Sequence, residues 1–186
     1  MSFSREIPMH LRFFVASSAA AAALAFGPNS LAHKAHEHGA AKLDVAVAGT
    51  AVTVTLDTPL DSIVGFERAP RNDAERARVA KAEAALRDAA KLFAFDAAAG
   101  CTAGKVELKA PVLGWGGAPP AKDTGHADLE ASFEFACQDA TKLRALEHRL
   151  FAAFASLKRI DVQVAGPRGQ VQAVLRPGAT RVNLVR

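Results

Sequence analysis

The sequence predicts an α+β fold, mainly antiparallel strands with two helices, in a single disulfide-linked domain. Three observations predict it. Apolar residues alternate with polar ones in short runs near residues 43–56, 127–137 and 160–184, with Gly- or Pro-containing turns between several of them. Residues 72–92 and 139–157 repeat instead at helical spacing. Two cysteines, Cys101 and Cys137, stand far apart with no CxxC motif, the pattern of a structural bridge in an exported chain.

The N-terminus reads as an export signal over residues 1–32. Arg5, His10 and Arg12 precede an apolar or small run at residues 13–26, Gly27-Pro28-Asn29 breaks it, and Ser30-Leu31-Ala32 offers a cleavage site. The run is shorter than the roughly 17–25 residues that span a bilayer. The domain is therefore expected at residues 33–186, in the periplasm, with membrane contact only through the uncleaved signal peptide. Half the residues are hydrophobic, enough for a core. The net charge is only +4, with one Trp and no Tyr. Neither a basic surface nor a stacking platform for nucleic acid is present.

Along the chain, Leu43, Val45 and Val47 alternate, then Gly49-Thr50, then Val52, Val54 and Leu56. Two such runs around a two-residue turn predict a hairpin. Residues 58–70 form an apolar loop expected to pack onto the core. Asn72 starts the first helix, with Glu75 its capping-box partner. A strand follows near residues 105–113, then an open loop at 114–125 in which Trp115 is expected to plug the core. In the strand 126–137, Leu129, Ala131, Phe133, Phe135 and Cys137 share one face. Leu143, Leu146, Leu150, Phe151, Phe154 and Leu157 make the stripe of the second predicted helix. His148 falls on its polar side. Ile160 to Leu184 reads as strands around Gly166-Pro167-Arg168-Gly169 and Pro177-Gly178.

Candidate chemistry centres on the six histidines. If extended, His36 and His38 point the same way, about 6.6–6.8 Å apart, a spacing at which two imidazoles share a cation. Zinc takes three or four such donors. Further donors lie on the polar face of the 126–137 strand, where His126 and Asp128 complete the expected set. Cleavage after Ala32 would also give His33 a free amine beside its imidazole, a nitrogen pair that ranks copper(II) above zinc. No GxSxG, HExxH or phosphate-binding glycine loop occurs, so a non-enzymatic role is expected.

Several segments resemble one family. His36-Glu37-His38-Gly39 before a hairpin, Gly65-Phe66-Glu67 within the loop 58–70, and His126-Ala127-Asp128-Leu129-Glu130 in the strand ending at Cys137 are similar to ZrgA-type periplasmic zinc-binding proteins. The resemblance implies zinc acquisition by an ABC-type uptake system, with the transporter or its binding protein as partner. Arg68 stands where the family pattern usually has histidine, and the His/Asp/Glu-rich insert is reduced to residues 118–125, with Asp123 its one donor. A second reading is a non-metal periplasmic adaptor module that contacts a membrane transporter through the apolar loop 59–70.

Overall fold

The structure is a computed structural model, and it describes residues 37–117 and 127–185. Residues 35–186 form one compact unit. The predicted export signal lies outside the described residues. Among the described residues no helix is long and apolar enough to cross a membrane.

The expected α+β balance is corrected by the structure. The described residues are 46% strand and 26% helical, with nine strands in two sheets. The larger sheet has the order β4-β5-β2-β1-β7-β8. Its strands are β1 (Ala40–Ala48), β2 (Ala51–Pro59), β4 (Cys101–Lys109), β5 (Asp128–Cys137), β7 (Arg159–Gly166) and β8 (Gly169–Leu175). The smaller sheet joins β3 (Phe93–Phe95), β6 (Ala145–His148) and β9 (Arg181–Asn183), in the order β3-β6-β9. Among the described residues four α-helical segments accompany them: α1 (Asp61–Val64), α2 (Asp73–Arg87), α3 (Ala89–Leu92) and α4 (Leu150–Ala153).

The alternating runs pack as their periodicity requires. Leu43, Val45, Val52, Val54, Leu56, Leu129, Ala131, Phe133, Ile160, Val162 and Val164 are buried in one core. The β1–β2 hairpin turns at Gly49-Thr50, closing on Ala48 opposite Ala51, and Gly49 takes the left-handed φ of 60° the tight turn needs. β1 also pairs with β7, in parallel. Phe93 carries the small sheet onto the large one, its ring edge-on to Phe133 at 5.0 Å between centroids. Trp115 is buried as the expected plug.

The second predicted helix is not formed. Residues 139–157 instead hold a short 3₁₀ turn at Ala140–Lys142, then β6, then one turn of α4. The apolar stripe is real: Leu143, Leu146, Leu150, Phe154 and Leu157 are all buried. What redirects the backbone is a competing set of hydrogen-bond partners. The Asp96 carboxylate accepts the amides of Arg144 and Ala145 at 2.6 and 2.8 Å. β6 then takes its ladder from β3 and β9. In β6 only Glu147 is not fully buried, and a segment wrapped in core on nearly every side has no face that separates helix from strand. His148, placed by the helical reading on a polar side, is buried opposite Phe93.

The first predicted helix divides at Asp88 into α2 and α3. The Asn72 side chain accepts the Glu75 amide at 2.9 Å, as a cap should. The Glu75 carboxylate reaches back to the amide of Arg71, at 2.7 Å, rather than to that of Asn72.

The bridge between Cys101 and Cys137 is formed. The two residues are direct partners in the β4–β5 ladder, so the disulfide fastens edge strand β4 to the sheet at one end.

Candidate metal centre

Three ligand-bearing side chains converge at the end of the large sheet where β1 begins and β2 ends. His38, Asp61 and Glu67 each offer one ligand atom within 4.8 Å of the other two. The His38 ring nitrogen Nδ1 is hydrogen-bonded to Asp61 Oδ2 and lies 3.7 Å from Glu67 Oε1. The His38 side chain is 67% exposed, that of Asp61 24% and that of Glu67 10%. The site thus has a sheltered carboxylate floor and an imidazole facing solvent.

Each donor is held by its local backbone. The amide of Ala40 closes a turn onto the Glu37 carbonyl at 3.0 Å, and Gly39 sits in that turn with φ 78°. A Cβ on Gly39 would lie 3.0 Å from the Ser156 carbonyl oxygen. The Gly39 carbonyl accepts the Lys158 and Arg159 amides, and its own amide donates to Ser62 Oγ at 3.0 Å. Glu37 adds an ion pair with Arg159 at 2.9 Å. His38 is therefore presented by a segment tied on both sides.

Asp61 opens α1. Its Oδ1 accepts from buried Ser62 Oγ at 3.3 Å, which leaves Oδ2 turned to His38. Ser62 thereby couples the Gly39 backbone to the orientation of the carboxylate, as supporting hydrogen bonds do around metal ligands. Gly65 ends α1 with φ 86°, its amide donating to the Asp61 carbonyl at 2.9 Å. That left-handed residue folds the chain back. Phe66 then buries its ring, with the Arg68 and Arg78 guanidinium groups over it at 5.0 and 5.6 Å from its centroid, and Glu67 follows at the site.

Arg68 is engaged by Glu75. Its two terminal nitrogens donate to the carboxylate at 2.7 and 2.9 Å. These bonds, first, and the Arg71 amide, second, lower the Glu75 pKa to about 2.

Of the sequence-predicted donors, His36 and His126 lie outside the described residues. His38 belongs to the convergent group. Asp128 begins β5 opposite Pro59, and the Leu60 amide donates to the Ala127 carbonyl at 2.8 Å. The start of β5 thus adjoins the start of α1, at the same end of the sheet. Sequence reasoning misses Asp61 and Glu67 because the apolar residues dominate the loop 58–70. A signal for Asp61 is nonetheless present. Pairing across the Gly49-Thr50 turn sets Lys42 opposite Asp57, and the same count carried outward sets His38 opposite Asp61. The apolar residues of that loop are not a free docking surface, since Leu60, Val64 and Phe66 are buried.

The donor set suits zinc. One imidazole nitrogen and two carboxylate oxygens are zinc ligands at about 2.0–2.2 Å, which sets tetrahedral donors about 3.3 Å apart. Binding one cation would open the His38–Asp61 hydrogen bond and bring Glu67 slightly closer to the imidazole, which its exposure leaves free to turn.

A family model described as ZrgA family zinc uptake protein matches residues 35–184 of the chain. No curated protein matches it.

Proposed function

The chain belongs to the ZrgA family of zinc uptake proteins, and from that premise we propose that it captures zinc in the periplasm on His38, Asp61 and Glu67. The convergence of one imidazole and two carboxylates, held by Gly39, Ser62 and Gly65, carries the reading. Zinc is the cargo, passed on to an ABC-type uptake system or its binding protein.

The site is built for loading and release rather than for permanent retention. Structural zinc sites are closed by four protein ligands. Here three donors converge and the imidazole is mostly exposed, so a fourth position is open to water or to a further side chain. His36 lies two residues before His38, and His126 and Asp128 flank Ala127; these are the residues best placed along the chain to supply it. The disulfide and the uptake family both accord with a periplasmic location.

Isothermal titration of the metal-free protein with zinc tests the proposal. One-site binding at micromolar affinity or tighter is expected, with most of it lost in His38→Ala and in Asp61→Asn. Absence of heat from correctly folded wild-type protein would refute it.

A further inference from the structure

The two flanks of α2 use their charges differently. On one, the long charged side chains are matched, Arg76 with Asp73 and Arg87 with Glu83. The other carries Arg78 and Lys81, three residues apart, followed by Ala84 and Ala85 at the spacing that continues one stripe. Both cations are exposed. Among the described residues neither has an ion pair or a side-chain hydrogen bond.

The stripe begins beside the metal-site loop. Arg78 stands over the Phe66 ring, 5.6 Å from its centroid, and its Nη1 is 3.4 Å from where a Cβ on Gly65 would lie. Gly65 and Phe66 immediately precede Glu67. At the far end of the stripe, α2 and α4 leave a groove of about 350 Å³ between them. Ala84 and Ala85 wall it from α2, Ala152 and Ala153 from α4, and buried Leu92 lies beneath. Exposed Arg149 adjoins the groove, and its side chain too has no ion pair or hydrogen bond among the described residues. The acid at the groove, Asp88, is held by Lys91 at 2.6 Å. Along the roughly 22 Å of this helix the flank thus offers three unmatched cations and one small apolar slot.

We propose that this track docks an acidic segment of the protein that receives the zinc, with its carboxylates on Arg78, Lys81 and Arg149 and one aliphatic side chain in the alanine groove. Complementary charge selects an acidic partner and repels a basic one. Unmatched cations beside a site for a cation weaken its capture unless they serve a further purpose, and docking is such a purpose. A segment seated on the track runs up to the loop that presents Glu67, next to the open coordination position. The recipient's role rests on the zinc reading; the docking itself does not, and it is tested without metal.

Calorimetric titration of the metal-free protein with a short peptide of glutamates around one leucine tests the docking. Saturable binding that weakens as salt is added is expected. Lys81→Glu and Arg149→Glu should each weaken it by about tenfold, which is about 1.4 kcal/mol, with zinc affinity and melting temperature unchanged. Lys105→Glu, an equal change of net charge on edge strand β4, should leave it as it is. From the zinc-loaded protein, transfer to a histidine-tipped form of the same peptide should slow in the two track variants. Peptide binding by a protein that takes up no zinc would support the docking and refute the recipient role. Three results overturn the proposal: no binding at low salt, equal binding of a glutamine version of the peptide, or losses in the track variants no greater than in Lys105→Glu. Tighter binding to phosphatidylglycerol vesicles than to the peptide also overturns it, in favour of a membrane surface.

Discussion

The Arg68 guanidinium and the Glu75 carboxylate form two parallel hydrogen bonds, 2.7 and 2.9 Å long, across the loop that leads into α2. The pair changes what Arg68 means. A cation next to Glu67 in the chain would be expected to oppose metal binding. Its charge is instead offset by Glu75, and its plane lies over the Phe66 ring, 5.0 Å from the centroid. Arg68 therefore braces the loop that presents Glu67. Arg68→Ala should lower the melting temperature by a few degrees. Arg68→Lys should recover only part of the loss, because an ammonium does not reproduce a planar two-bond fork. Thermal denaturation of the three proteins checks this.

Glu75 gives the fold an acid-sensitive contact. Its pKa falls from the usual 4.5 to about 2 in the folded chain, through the Arg68 bonds first and the Arg71 amide second. A depressed carboxylate stabilises the folded state above its unfolded pKa, and that contribution fades as pH falls from about 4.5 towards 2. Glu75→Gln should flatten the stability–pH curve in that window and leave its shape near neutrality unchanged. Chemical denaturation at a series of acidic pH values measures the slope.

His148 should act in a different window, nearer neutrality. Neither ring nitrogen has a hydrogen-bond partner among the described residues, and burial lowers its pKa below the usual 6.5, with Glu147 opposing in part. The unfolded chain therefore takes up a proton first as pH drops through 6.5, and stability declines there. His148→Leu should remove that decline. It should also raise stability at neutral pH by about 1–3 kcal/mol, the usual cost of an unsatisfied buried polar group. Urea denaturation at pH 7.5 and at pH 5.5 distinguishes the two effects.

Gly39 links stability to the metal site. Its φ is 78°, and a Cβ there would stand 3.0 Å from the Ser156 carbonyl oxygen, a contact tight enough that the neighbouring backbone would have to give way. Gly39→Ala should cost about 1–2 kcal/mol for the left-handed backbone alone. It should also weaken zinc binding, because the Gly39 amide orients Ser62 and through it Asp61. A Ser62→Ala variant with normal zinc affinity would contradict the second half of this expectation.

The Cys101–Cys137 bridge closes a loop with a sequence separation of 36. In the chain-entropy description such a crosslink stabilises by about 3–4 kcal/mol. Reduction should lower the melting temperature and release β4 before the rest of the sheet, because Cys101 lies on an edge strand whose register is already broken after Ala103. Hydrogen exchange of reduced and oxidised protein locates the loosened strand.

The faces of the strands, the hairpin at Gly49-Thr50, the cap at Asn72 and the cysteine pair were all legible in the amino-acid order. Each of these is specified by residues close together in the chain or by the absence of any rival partner. Asp61 was missed, although the hairpin register points towards it when counted outward past its last pair, Lys42 and Asp57. The breaking of residues 139–157 into a turn, a strand and a single helical turn was not legible. It arises in three dimensions, where Asp96 and the strands β3 and β9 compete for backbone groups that a helix would bond within itself. Glu67 likewise reaches the site only through folding, where the left-handed turn at Gly65 and the burial of Phe66 bring the chain back towards His38. Local periodicity records which side chains are apolar; it carries no record of which distant groups will bid for the backbone between them.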